Sequence, residues 1–71
     1  MNEKEKLIFE LIFGDESNFI IDIGLFVDDI YQYDDFVTDI RNILRRSKVM
    51  VVKSGIKVDS KTATWELKVK K

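Results

Sequence analysis

The 71-residue chain is expected to form one α+β domain over residues 1–71, with a core made marginal by its size. It has no Cys and no His, which excludes disulfides, thiolate or imidazole zinc sites and His-based acid–base catalysis. Its net charge of −1 conceals a polarity: residues 1–40 hold eleven acids against two bases, a sum of −9, and residues 41–71 hold ten bases against two acids, a sum of +8.

Residues 3–13 predict a helix of about three turns that Gly14 stops. Leu7, Ile8, Leu11 and Ile12 share its inward face, while Phe9 and Phe13 point round to the side. An apolar arc that wide exceeds a single-core stripe: either the helix is tucked deep in its own core or, the reading preferred here, Phe9 and Phe13 meet a second subunit in a homodimer.

Residues 18–27 fit two templates. Phe19, Ile21, Ile23, Leu25 and Val27 alternate as a strand requires, although Ile20, Ile23, Val27 and Ile30 also fit a helix. Their β-branched content favours a strand. From Asp29 to Ser47 the pattern is helical, with Ile30, Tyr33, Val37, Ile40 and Leu44 recurring every three or four residues. Asp28, Asp29, Asp34 and Asp35 crowd its start, with Asp29 available as N-cap, and Arg41, Arg45, Arg46 and Lys48 crowd its end.

The remaining residues predict a β-hairpin. Ala63, Trp65, Leu67 and Val69 alternate with polar residues, which assigns Trp65 to the core. On the partner strand Val49 and Val51 are odd but Ile56 and Val58 are even, so a β-bulge is expected, at Ser54–Gly55; a tight turn there, making three short strands, is the rival. Asp59-Ser60-Lys61-Thr62 turns the chain. The predicted order is helix, strand, helix, hairpin, with helices covering one sheet face.

The search for chemistry returns no catalytic set. The serines lack a His, the three glycines form no phosphate loop, and no acidic loop has calcium spacing. Asp59 with Glu66-Leu67-Lys68 resembles the acid plus Glu-x-Lys pattern of restriction-type nucleases, whose acids hold a divalent metal. The same pattern is common on solvated strand faces, which is the reading preferred here. The paired aspartates are explained by the helix dipole without a metal. No catalytic residue, metal or cofactor is therefore expected. No apolar run approaches the roughly 18 residues a membrane span needs, and the charged N-terminus is unlike a secretory signal, so a cytoplasmic location is expected.

The bases are the strongest functional signal. If the hairpin packs beside the helix end, up to ten of them converge, and Arg41, Arg45, Arg46, Lys48, Lys53, Lys57, Lys61, Lys68 and Lys70 become candidates for phosphate contact. The equal rival is an exposed sheet face guarded by lysines against edge pairing. Asp28, Asp29, Asp34, Asp35 and Asp39 form an acidic surface that mimics a nucleic-acid backbone for a basic protein partner.

From Asp35 onward the chain resembles the second half of a winged-helix DNA-binding domain. A helix (Asp35 to Arg46) leads to an apolar strand (Val49 to Val52), a basic wing (Lys53 to Lys61) and a closing strand with Thr64-Trp65-Glu66-Leu67-Lys68-Val69. The opening apolar helix is similar too. The resemblance implies a winged helix-turn-helix fold in which the helix before the wing enters the major groove and wing lysines touch phosphates. The expected function is a small non-catalytic regulator or accessory factor that binds nucleic acid. The alternative is a protein–protein interaction module or inhibitor acting through the acidic surface.

Overall fold

The computed structural model describes residues 2–71. Its elements are α1 (Glu3–Phe13), β1 (Asn18–Asp22), two 3-10 turns (Ile23–Leu25 and Ile30–Gln32), α2 (Tyr33–Arg46), β2 (Met50–Val58) and β3 (Ala63–Lys70). The α+β order of helix, strand, helix and hairpin is as the sequence predicts. The strands make one antiparallel sheet in the order β1-β3-β2. Its inner face carries the core, where Leu11, Ile40, Leu44, Trp65, Leu67 and Val69 are buried. The outer face, which includes Ile20, Glu66, Lys68 and Lys70, is open to solvent.

Helix α1 begins where the Asn2 side chain accepts a bond of 2.8 Å from the Glu5 N–H. It ends where Gly14 turns to extended backbone, and only glycine fits there: a Cβ would lie 2.7 Å from the Glu10 carbonyl oxygen. Three carbonyls at this end receive the Lys71 ammonium, those of Glu10 at 3.1 Å, Glu16 at 2.9 Å and Gly14. A cation from the far terminus thus serves a helix with no base in its own last turn.

β1 is shorter than the alternation implies. The Asp22 carboxylate accepts from the Gly24 N–H at 3.0 Å and turns the chain, so residues 23–27 are not strand. Ile23 stays in the core while Leu25 is exposed. Asp29 caps the second 3-10 turn through the Tyr31 N–H at 2.9 Å, rather than capping α2, which follows directly with Gln32 before it.

α2 ends in a Schellman motif. The Val49 N–H reaches the Leu44 carbonyl at 2.9 Å and the Lys48 N–H reaches that of Arg45 at 3.2 Å. Val49 and Leu44 are both buried, as the motif's apolar contact requires. Lys48 occupies the left-handed position with φ 63°, a conformation that costs a non-glycine residue about 1 kcal/mol.

The parity change in β2 is a bulge, and it lies at Val52, between the pairs Val51↔Val69 and Lys53↔Lys68. The expected site at Ser54–Gly55 is ruled out by what Ser54 does. Its hydroxyl accepts the Trp65 indole N–H at 2.8 Å, so Ser54 must already face inward. Gly55 meets nothing within 4 Å, and the strand runs straight through it rather than turning.

Around Trp65 the aromatic rings interlock. Phe36 meets it edge-on with centroids 6.3 Å apart and stacks on Phe26 at 5.2 Å. Trp65→Ala is expected to cost about 3–5 kcal/mol, and Ser54→Ala about 1–3 kcal/mol by stranding the indole donor. Lys48→Gly should instead raise stability by about 0.5–1 kcal/mol by relieving the left-handed backbone. Urea titration of the three variants checks all three values.

Candidate functional site

Helix α2 is 14 residues long, about 20 Å, and its charges are sorted end to end. Asp34 and Asp35 stand in the first turn, and Arg45 and Arg46 in the last. Arg41 lies one turn, about 6 Å, before Arg45 on the same helix face. That face does not rest on the sheet. It forms one wall of an open groove of ≈ 650 Å³, lined by Thr38, Arg41, Asn42, Arg45, Lys48, Val49, Met50 and Val51. The other wall is the start of β2, an edge strand.

The groove carries three cations, and none of its lining residues is acidic. Among the described residues the ion pairs are Lys4–Asp39, Lys6–Glu3 and Lys57–Glu66, so Arg41, Arg45 and Lys48 have none. Asn42 accepts a bond of 3.0 Å from Arg45 and holds that guanidinium along the groove. Met50, 63% exposed, floors the opening with apolar surface. Neither Thr38, Asn42 nor Met50 stood out in the sequence. Met50 faces outward because Val49 and Val51 on either side of it turn to the core.

The other bases disperse. Arg46 is exposed at the helix end but does not line the groove. Lys53, Lys68 and Lys70 stand on the outer sheet face, where Lys53 is directly opposite Lys68 and Lys70 opposite Met50. Like charges opposite one another destabilise a strand pair. Lys57 meets Glu66 at 4.0 Å. Lys61 sits at the hairpin tip, with the length of β2, about 25 Å, between it and the groove. Ten bases therefore do not converge: Lys57 and Lys61 point to the far end, and Lys71 is committed to α1.

Of the acidic candidates, Asp28, Asp29, Asp34 and Asp35 are exposed and, among the described residues, have no cation within ion-pair distance. Asp39 is bound to Lys4, which ties α2 to α1. Among the described residues no three Asp or Glu side chains gather as a metal site would need, and no helix is long and apolar enough to cross a membrane. The Asp59 carboxylate is engaged in its own turn. It accepts the N–H groups of Lys61 at 2.9 Å and Thr62 at 2.8 Å, and the Thr62 hydroxyl at 2.8 Å.

Those bonds, led by the Lys61 N–H, hold the Asp59 carboxyl below its ordinary value of 3.8. A carboxyl depressed in the folded state adds stability above its unfolded pKa, and that stability is lost as pH falls through the folded value. Asp59→Asn should therefore flatten the acid limb of the stability curve below about pH 4, and carbon-13 titration should find the Asp59 carboxyl below its ordinary value. An Asp59 that titrates at or above its ordinary value overturns this. No family model, curated protein or solved structure matches the chain.

Proposed function

We propose that this chain is a small, cytoplasmic, non-catalytic regulatory or accessory protein that binds nucleic acid by its phosphate backbone. The contact is the groove between α2 and β2, through Arg41, Arg45 and Lys48, with Arg46 beside it and Lys53, Lys68 and Lys70 extending it over the sheet face.

The observation that carries this reading is the grouping of three cations without an acid in one open groove. The helix dipole accounts for bases in the last turn, but Arg41 precedes that turn. Edge protection accounts for lysines on outer strands, but Lys68 and Lys70 are on the central strand. A polyanion relieves both the crowded groove and the Lys53–Lys68 opposition. Lys48 adds a further point: a strained left-handed position that glycine would satisfy is held by a cation at the groove's rim.

Because Asp34 and Asp35 occupy the start of α2, a major-groove approach by that end is repelled. The contact is therefore with backbone phosphates and reads base sequence weakly. The winged-helix resemblance is consistent with the hairpin beside α2, although residues 23–32 supply two 3-10 turns in place of a further helix. A second reading rests on the four unpaired carboxylates Asp28, Asp29, Asp34 and Asp35: an acidic surface that captures a basic protein.

Fluorescence anisotropy with random duplex and single-stranded oligonucleotides, repeated across salt, separates the two. Binding should weaken with salt at a log–log slope of several units. Arg41→Ala, Arg45→Ala and Lys48→Gly should each lower that slope by about one while weakening all sequences alike. Asp28→Asn and Asp34→Asn should leave it intact. No binding at low salt rejects the proposal and moves the search to partners of the acidic end.

A further inference from the structure

We propose that the groove between α2 and β2 seats an unpaired nucleotide of a single strand, with phosphates on its cations and the base against Met50. This rests on the nucleic-acid reading above and names the form of nucleic acid. The groove has two chemically distinct walls. Arg41, Arg45 and Lys48, all exposed, supply the charge along α2 and its exit. Met50, 63% exposed, and the half-buried Val51 supply an apolar wall on β2. A site for phosphates alone gains nothing from that wall. A nucleobase does, because it is a flat ring with an apolar face, and a thioether makes favourable contact with aromatic rings.

Shape separates a single strand from a duplex. The groove is a concavity of ≈ 650 Å³ between a helix and an edge strand, a size that suits one small organic molecule. One nucleotide fits it and a double helix does not. A duplex is a convex rod with its phosphates outside and its bases stacked within. It can touch the cations at the rim, but it leaves Met50 in water. A strand with unstacked bases presents an anion and an apolar ring side by side, which is the pairing of walls the groove offers. The Asn42 carbonyl already accepts from Arg45 at 3.0 Å, which leaves the Asn42 NH2 as a donor for a base carbonyl or a sugar oxygen. Contact with the face of a base is tolerant of sequence, in keeping with weak readout.

Fluorescence anisotropy at one salt concentration tests this with a thymidine oligonucleotide, an abasic strand carrying as many phosphates, and a duplex. The thymidine strand should bind about fivefold or more tighter than either of the others. Met50→Ser should weaken the thymidine strand about fivefold with its salt slope unchanged, and leave the abasic strand and the duplex as they were. Met50→Leu keeps the apolar wall and should keep most of the affinity. Met50 is mostly exposed, so both variants should retain the wild-type circular dichroism spectrum. Equal binding of the thymidine and abasic strands, tighter binding of the duplex, or a Met50→Ser loss shared by all three probes overturns this inference while the phosphate reading stands. Displacement of the strand by an equal concentration of thymidine monophosphate makes a free nucleotide the occupant and overturns the strand. No binding of any probe at low salt rejects both.

Discussion

The bond between the Trp65 indole and the Ser54 hydroxyl, 2.8 Å long, sets the register on which the rest of the molecule depends. Trp65 is the largest fully buried side chain, and it sits on the central strand. A buried indole N–H without a partner costs about 1–3 kcal/mol, and an inward-facing residue of β2 supplies that partner. Ser54 meets that need when paired with Leu67, one step from Trp65's own partner Ile56. The helix exit, however, demands that Val49 and Val51 also face inward. Both requirements hold only if one residue is skipped between them, and Val52 is that residue. Met50, between Val49 and Val51, then faces outward at the mouth of the groove.

Charge segregation along α2 and the antiparallel hairpin together decide which cations can cooperate. A helix that starts acidic and ends basic is favoured at both ends by its own dipole, so the sorting needs no ligand to explain it. The hairpin then runs away from the basic end and returns to it. Bases near the start of β2 and the end of β3 rejoin those of the helix, and bases near the turn are carried off. Lys70 opposite Met50 and Lys68 opposite Lys53 belong to the first group; Lys57 and Lys61 belong to the second. Topology, more than the count of lysines, fixes the size of the contact.

Most of this fold was legible in periodicity. The bounds of α1, the inward row of β3 and the helical stretch ending near Arg46 all follow from which residues are apolar at which spacing, because burial selects them directly. The parts that were not legible depend on single side chains bonding to the backbone. Asp22 and Gly24 read as the polar face of a long strand, yet Asp22 bonds the Gly24 N–H and ends β1. Parity demanded a bulge somewhere between Val51 and Ile56 but could not choose a position, since that choice lay with Ser54. At the candidate site, Arg41, Arg45 and Lys48 were visible as charges. The groove was not, because it exists only where an edge strand and a helix face diverge.

Helix α1 is the element whose attachment is most unusual for a domain this small. Its inner face supplies Leu11 to the core, and its ends are tied by side chains from elsewhere: Lys4 to Asp39 on α2, and Lys71 to the carbonyls at the C-terminal end. Lys71 also lies 5.8 Å from the centre of the Phe19 ring, so one terminal cation joins α1 to β1 as well as to the end of β3. Exposed ion pairs contribute little individually. The position of α1 therefore rests mainly on apolar contact along its inner face, while its outer face carries two phenyl rings, tilted 47° to one another, that the chain leaves exposed.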